Sequence, residues 1–168
     1  TWTWSGWIKR SELSSNQFFF GAGADDGGNT NQILFFFLGN NRFRITTAQI
    51  VLRETSQSFA DPASFFHLVV AFDTTQSTAS DRIKIYVNGS QVTDLSITGN
   101  PAQNADTGVN SAADHRIGQG SGATYSGSSY GFNGYLAECI LVDGSQLDPT
   151  SFGEFDTNGV WQAIDTAG

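Results

Sequence analysis

Tyr125 and Tyr130 lie in a Gly/Ser-rich loop with Asn133 close behind. These residue types in that order could recognise a sugar: an aromatic ring offers a platform for the apolar face, and an amide serves the hydroxyls. The alternative for the two tyrosines is a hydrogen-bonded anchor that fixes the loop. Trp2, Trp4, Trp7 and Trp161 offer larger platforms, but tryptophan in a short strand is ordinarily core material. A second constellation is Asp25, Asp26 and Asn29 in a turn-rich stretch. A calcium ion takes six to eight oxygens, several from carboxylates or carbonyls. These three, and the pair Asp73 and Asp81 flanking another loop, fall short of a complete ligand set. Asp and Asn in turns also bond their own backbone and tolerate left-handed geometry, and that is the reading adopted for them. No cofactor is expected; Ca²⁺ at Asp25, Asp26 and Asn29 is the competing reading.

Catalytic chemistry is not legible. Glycoside hydrolysis needs two carboxylates flanking one bond, one as acid and the other as nucleophile or base. The chain has four glutamates, Glu12, Glu54, Glu138 and Glu154, and none is spaced as such a pair. Glu138 sits in a strand-like run with Leu136 and Ile140 two residues away on either side. It is expected to bond loop amides at a sheet end. His67 and His115 have no nucleophile nearby in a recognisable motif, and nucleophilic catalysis needs an oriented base beside the attacking group. The chain is expected not to be an enzyme.

The elements that must position these residues are strands. Helical periodicity is nearly absent, and β-branched and aromatic residues come in short runs broken by Gly, Asn, Asp and Ser. The most informative stretch is Phe65–Leu95. An apolar run, Phe65–Phe72, ends at Asp73. A polar loop leads to the alternating run Arg82–Val87, then Asn88-Gly89, then another β-prone run. Asn-Gly between strands is the strongest short hairpin signal, because both residues accept the positive φ of a type I′ turn. Further strands are read at Thr1–Arg10, Phe18–Ala22, Ile33–Leu38, Arg42–Thr47, Gln49–Glu54 and Gly134–Val142. Trp2 and Trp4 share one face, with Thr3 and Ser5 opposite. Gly6 marks a bulge or a close backbone approach. Phe43 and Ile45 point one way and Arg42 and Arg44 the other, as on a half-solvated sheet. Phe65–Phe72 is apolar on both faces except at His67, so it is central or lies beneath a long segment. Asp148 and Pro149 read as the cap and first residue of a helical turn, with Phe152 and Phe155 packing one face of it onto the sandwich. The stretch 99–129 is long and polar. A structureless loop of that length is unusual in a compact domain, so it is a functional surface or an ordered excursion.

Size and charge set outer bounds. A chain of 168 residues fits one domain, residues 1–168. Surface scaling gives roughly 8,000 Å² folded against roughly 26,000 Å² unfolded, enough burial for a core without staples. The net charge is −8, the lysines are Lys9 and Lys84 alone, and the six arginines are scattered. Nucleic-acid backbones and anionic membrane surfaces both require clustered cations, so neither is an expected partner. Cys139 is the one cysteine, which excludes an intrachain disulfide and reads as a small buried apolar residue. The longest apolar run, Ile33–Leu38, is far short of the ~18 residues of a membrane span. The abrupt start at Thr1, without Met or leader, reads as a chain processed, trimmed or cut from a longer polypeptide.

Four segments together resemble the laminin-G-like, concanavalin-type jelly-roll modules. Trp4-Ser5-Gly6-Trp7-Ile8-Lys9 is similar to the family's opening strand. Phe65–Asp73 is similar to its W-x-H-hydrophobic-V strand ending in Asp. Arg82–Gly89 is similar to its K-hydrophobic-Y-V-N-G hairpin, and Phe132–Glu138 to its closing F-x-G-hydrophobic-x-E strand. Phe65 and Phe66 depart from the family, standing where many relatives carry Trp and Tyr or His. The tail Leu141–Asp156, with Gly159-Val160-Trp161, resembles a variant found in structural proteins of tailed bacteriophages, especially marine ones. The resemblance implies an all-β, antiparallel two-sheet β-sandwich with one short helical turn near its C-terminus. It further implies an exposed structural module of a virion, as capsid decoration or tail fibre. The partners would be other virion proteins, copies of itself or cell-surface glycans. The runner-up is a secreted or cell-surface bacterial carbohydrate-binding module, extracellular rather than on a virion; a glycan-cleaving enzyme is a distant third.

Overall fold

The computed structural model describes residues 1–23, 31–47, 50–121, 125 and 130–165. The described strands are β1 (Trp2–Arg10), β2 (Gln17–Ala22), β3 (Ile33–Phe37), β4 (Arg42–Thr46), β5 (Val51–Ser58), β6 (Phe66–Phe72), β7 (Ile83–Val87), β8 (Ser90–Gln91), β9 (Leu95–Ile97), β10 (His115–Ile117), β11 (Gly134–Asp143), β12 (Gly153–Phe155) and β13 (Trp161–Ala163). They form a five-stranded sheet, β11-β1-β6-β7-β8, and a six-stranded sheet, β10-β2-β3-β4-β5-β9. Every paired strand in both is antiparallel. β12 and β13 make a separate hairpin. This is the expected jelly-roll sandwich.

Alternation builds the core. Trp2, Trp4 and Ile8 of β1 and Leu68, Val70 and Phe72 of β6 point at Phe35, Phe37, Phe43 and Ile45 of the facing sheet. Trp2 stacks on Phe72 at 4.7 Å, and Trp4 meets Phe35 edge-on at 5.9 Å, geometries that aromatic quadrupoles favour. Two departures from strict alternation have local causes. A bulge between Phe18 and Phe20 lets Phe19 and Phe20 both enter the core while Phe18 faces outward. A second bulge lies between Ser5 and Trp7. A Cβ on Gly6 would stand 2.6 Å from the Trp4 ring, so both roles expected of that glycine are realised. The Asn88-Gly89 turn has φ of 47° and 79°, as a type I′ turn requires.

The segment after β11 folds back over the outer face of the five-stranded sheet. Thr3 Oγ1 donates to Ser145 O at 2.7 Å and accepts from Leu147 N at 2.8 Å. Gln146 Nε2 donates to Asp81 O at 2.9 Å, and the buried Trp161 indole donates to His67. That cover explains why β6 is apolar on both faces. Asp148 Oδ1 accepts from Thr150 N at 2.9 Å and Pro149 opens the expected 3-10 turn. Phe152 is buried as expected, but Phe155 is exposed. The turn gives way to β12 at Gly153, so the three-residue spacing no longer maps onto one helical face. The strands β10, β12 and β13, three residues each, were not legible as strands.

Candidate functional site

In its described part, the polar stretch from Gly99 packs against the sandwich, and two buried arginines hold its start. Arg53 Nη1 donates to Leu52 O at 2.9 Å and also to Gly99 O. Its Nη2 reaches Asn100 Oδ1 at 2.7 Å and Ile83 O at 3.4 Å. Arg82 Nη1 donates to Pro101 O at 2.9 Å, while Nε and Nη2 bond Gln76 O and Ser77 O at 2.9 and 3.2 Å. Among the described residues neither guanidinium has a carboxylate partner. Five fixed donors on a planar fork let one arginine tie several carbonyls at once. Burial lowers the Arg53 pKa. The same stretch is fastened by Asn104 N to Thr74 O at 2.9 Å, Gln103 Nε2 to Thr75 O at 3.1 Å and Trp2 Nε1 to Thr107 Oγ1 at 2.9 Å.

The pinned stretch forms one wall of a cleft of about 490 Å³ at the loop end of the sandwich. Leu52 and Phe72 line its base, Ile50 and Thr47 one side, and Pro101, Ala102 and Ala105 the other, with Asp106 and Thr107 beside them. The volume lies in the range of small-molecule sites, which pair apolar walls with a few placed polar groups. Asp106 is exposed and its carboxylate has no hydrogen bond or ion pair among the described residues. Thr107 accepts the Trp2 indole N–H, so its own hydroxyl proton is free to donate. A carboxylate that can accept from two adjacent hydroxyls, a donor next to it and an apolar base suit one sugar ring.

The tyrosines come together elsewhere. On the outer face of the six-stranded sheet Phe18 and Phe36 stack at 4.3 Å. Tyr125 lies 5.0 Å from Phe18, Tyr130 meets it edge-on at 5.8 Å, and the tyrosines are 6.0 Å apart. Tyr130 is 39% exposed, whereas Tyr125 is half-buried. Asn133 immediately precedes β11, and its Nδ2 donates to Glu12 Oε2 at 3.4 Å. Asp25, Asp26 and Asn29 lie outside the described residues. Among the described residues no three His, Cys, Asp or Glu side chains are grouped to hold a metal. Asp73 is committed to its turn. Its carboxylate accepts from Thr1, Thr75 and Gln76 at 2.6–3.0 Å. Burial pushes its pKa up, and the hydrogen bonds from Gln76, Thr75 and Thr1 outweigh that and hold it down at about 2.

Ser5 and His67 form the one close serine–histidine contact among the described residues, at 2.8 Å. The Trp161 indole donates to His67 Nδ1 at 3.0 Å, and an indole nitrogen can only donate. Nδ1 is therefore unprotonated, and the neutral ring carries its proton on Nε2 and donates it to Ser5 Oγ. In that tautomer His67 cannot take the serine proton. Trp7 stacks on the same ring at 5.0 Å, and burial drives the His67 pKa down to about 4. The cluster is a clamp between β1, β6 and the C-terminal hairpin. Glu54 is bound by Arg42, Arg44 and Ser96. Burial alone would raise its pKa, but those hydrogen bonds leave it lowered. Glu138 is exposed at the β11 bulge with φ of 49°. It makes no hydrogen bond among the described residues, so the expected contact with loop amides is not made; the bulge turns it off the sheet.

Asp106 and Thr107 were not singled out by sequence, because no motif spacing surrounds them. Their signal is indirect: a long polar stretch in a chain whose Arg53 and Arg82 have no acidic neighbour at helix or strand spacing.

A two-layer antiparallel jelly roll is the architecture of concanavalin-type modules. The chain belongs to the Laminin_G_3 family, described as the concanavalin A-like lectin/glucanases superfamily, whose model matches residues 1–145. Among curated proteins none matches. Solved structures of the same fold include the heptameric SAP-like pentraxin of Limulus polyphemus, at 13% identity and TM-score 0.51 over 83% of this chain and 62% of that one. The CBM40 of the Ruminococcus gnavus IT-sialidase matches at 12% identity and TM-score 0.59, over 89% of this chain and 78% of that one. It has also been solved bound to alpha2,3 sialyllactose. Trypanosoma rangeli sialidase matches at 18% identity and TM-score 0.54, over 89% of this chain but 21% of that one. The chain thus spans less than two thirds of the pentraxin and about a fifth of the sialidase.

Proposed function

We propose that this chain is a non-catalytic carbohydrate-contact module displayed on the outside of a tailed-bacteriophage particle, in a capsid decoration or tail-fibre protein. The observation that carries the carbohydrate reading is the loop-end cleft, with Asp106 unpartnered beside Thr107 and a wall fixed by Arg53 and Arg82. A wall ordered before the ligand arrives spares the entropy of ordering it on binding. The sugar-bound CBM40 of related fold supports the reading. The bound form of His67 and the dispersal of the glutamates over separate elements support the absence of catalysis. The virion setting is supported by the tail resemblance and by an acidic, lysine-poor surface that keeps crowded particles apart. The alternative setting is a secreted or cell-surface bacterial module, and the likeness to a bacterial CBM40 supports it.

On a glycan array the folded protein is expected to retain neutral glycans. Asp106→Ala should weaken that binding roughly 10- to 100-fold, the loss expected for a charged hydrogen bond to hydroxyls, without moving the melting temperature. Undiminished binding by Asp106→Ala would remove the cleft from consideration. Purified phage particles should carry the protein at a copy number set by their symmetry; its presence only in host culture medium would favour the bacterial setting. Release of reducing sugar by the protein, lost in Glu138→Gln, would refute the non-catalytic reading.

A further inference from the structure

A second depression lies along the side where residues 92–94 cross from β8 of one sheet to β9 of the other, Val92 N donating to Ile85 O and Asp94 O accepting from Ser56 N. It consists of three adjoining clefts. One of about 250 Å³ lies beside Phe65 and Phe66 and shares Gln57, Val87 and Asn88 with the next, of about 420 Å³. That one shares Gln91, Val92 and Thr93 with a third, of about 350 Å³, which reaches Asn100. Asn100 also lines the loop-end cleft, so the groove runs up to it.

Several exposed polar side chains along this path are uncommitted. Those of Gln57, Ser90, Gln91, Thr93 and Asp94 make no hydrogen bond among the described residues. Glu54, Asp73, Asp148 and Asp156 are, by contrast, committed to the fold. Amide and hydroxyl side chains both donate and accept, which matches the dual character of sugar hydroxyls. Val87, Val92 and Leu95 give apolar ground between them, and the Phe65 ring, 44% exposed, stands at the far end. Asp61 and Asp94 are matched by Lys84 and Arg53 along the walls, so the path has no surplus of cations to attract a polyanion. The bordering edge strands β8 and β9 have two and three residues, too short to template an added peptide strand, whose affinity comes from main-chain hydrogen bonds.

The geometry points to this groove as the binding path for an internal stretch of an unbranched, uncharged polysaccharide, running toward the ring held at Asp106. This rests on the carbohydrate reading above and extends it from one sugar to a chain. The test is titration calorimetry with linear gluco-, manno-, galacto- and xylo-oligosaccharides of one to six units, with oligogalacturonate as the charged control. In at least one series Kd should fall by about tenfold or more from the single sugar to the tetramer. Gln91→Ala/Thr93→Ala and, independently, Phe65→Ala should erase that gain while leaving single-sugar affinity intact, with melting temperatures unchanged. Affinity independent of length in every series, a length gain that survives both variants, or preference for oligogalacturonate would overturn the groove. Length-independent binding that still needs Asp106 would sink the groove alone; no carbohydrate binding at all would sink both readings.

Discussion

Arg53→Leu is expected to destabilise the protein by about 3–5 kcal/mol and to lower its melting temperature by on the order of 10 °C. The guanidinium is buried and serves acceptors from three separate places: Leu52 O in β5, Ile83 O in β7, and Gly99 O with Asn100 Oδ1 in the loop. Leucine fills much of the space but leaves those acceptors without a donor. Each orphaned buried acceptor costs about 1–3 kcal/mol, part of which relaxation and water recover. Arg53→Lys keeps the charge but offers one nitrogen in place of a fork, so an intermediate loss is expected. Amide exchange should accelerate first in the stretch 99–107, because that is the part tied on by arginine rather than by a strand ladder. Calorimetry with exchange mass spectrometry would check this. A change below about 1 kcal/mol would mean that Asn104, Gln103 and Trp2 hold the loop without Arg53, and the case for a deliberately fixed cleft wall would weaken.

The contrast between strands and loops explains what could be read in advance. Period-two alternation put Trp2 with Trp4 and Phe43 with Ile45 on shared faces, and those faces are the buried ones, because a buried face imposes that pattern on any antiparallel strand. The Asn88-Gly89 turn and the Asp148-Pro149 cap were legible for the same reason: each is a local backbone requirement met by particular residue types. The bulge that sends both Phe19 and Phe20 inward was invisible, since three consecutive phenylalanines carry no phase. The loop-end site was invisible too. Its parts come from before β3, between β4 and β5, the end of β6 and the stretch after β9, and their meeting depends on hydrogen bonds from Arg53 and Arg82 that span up to 47 residues. Tyr125 and Tyr130 were found as a pair because they are close in sequence, and the structure does bring them together. They meet over Phe18 rather than beside Asn133.

Acid should weaken the protein in a pH window that one residue controls. His67 is held neutral in the folded state, with its pKa at about 4 because burial penalises the charged ring; in the unfolded chain it titrates near 6.5. Between those values the unfolded state binds more protons, so stability is full above about pH 6.5 and falls as pH drops toward 4, by about 3 kcal/mol in total. The carboxylates act lower on the scale. Asp73, held at about 2, and Glu54, also lowered, stabilise the fold above their unfolded values and lose that contribution only as pH falls below those values. Urea midpoints measured from pH 8 to pH 4.5 should therefore decline in the wild type. His67→Phe should start lower, because the Ser5 hydroxyl and the Trp161 indole lose their partner, and then stay level over the same range. A wild-type profile that is flat between pH 7 and pH 4.5 would show that the His67 ring is reached by water or proton donors in solution. The tautomer argument against a working Ser5–His67 pair would then fail with it, since both follow from the same sealed contact with Trp161.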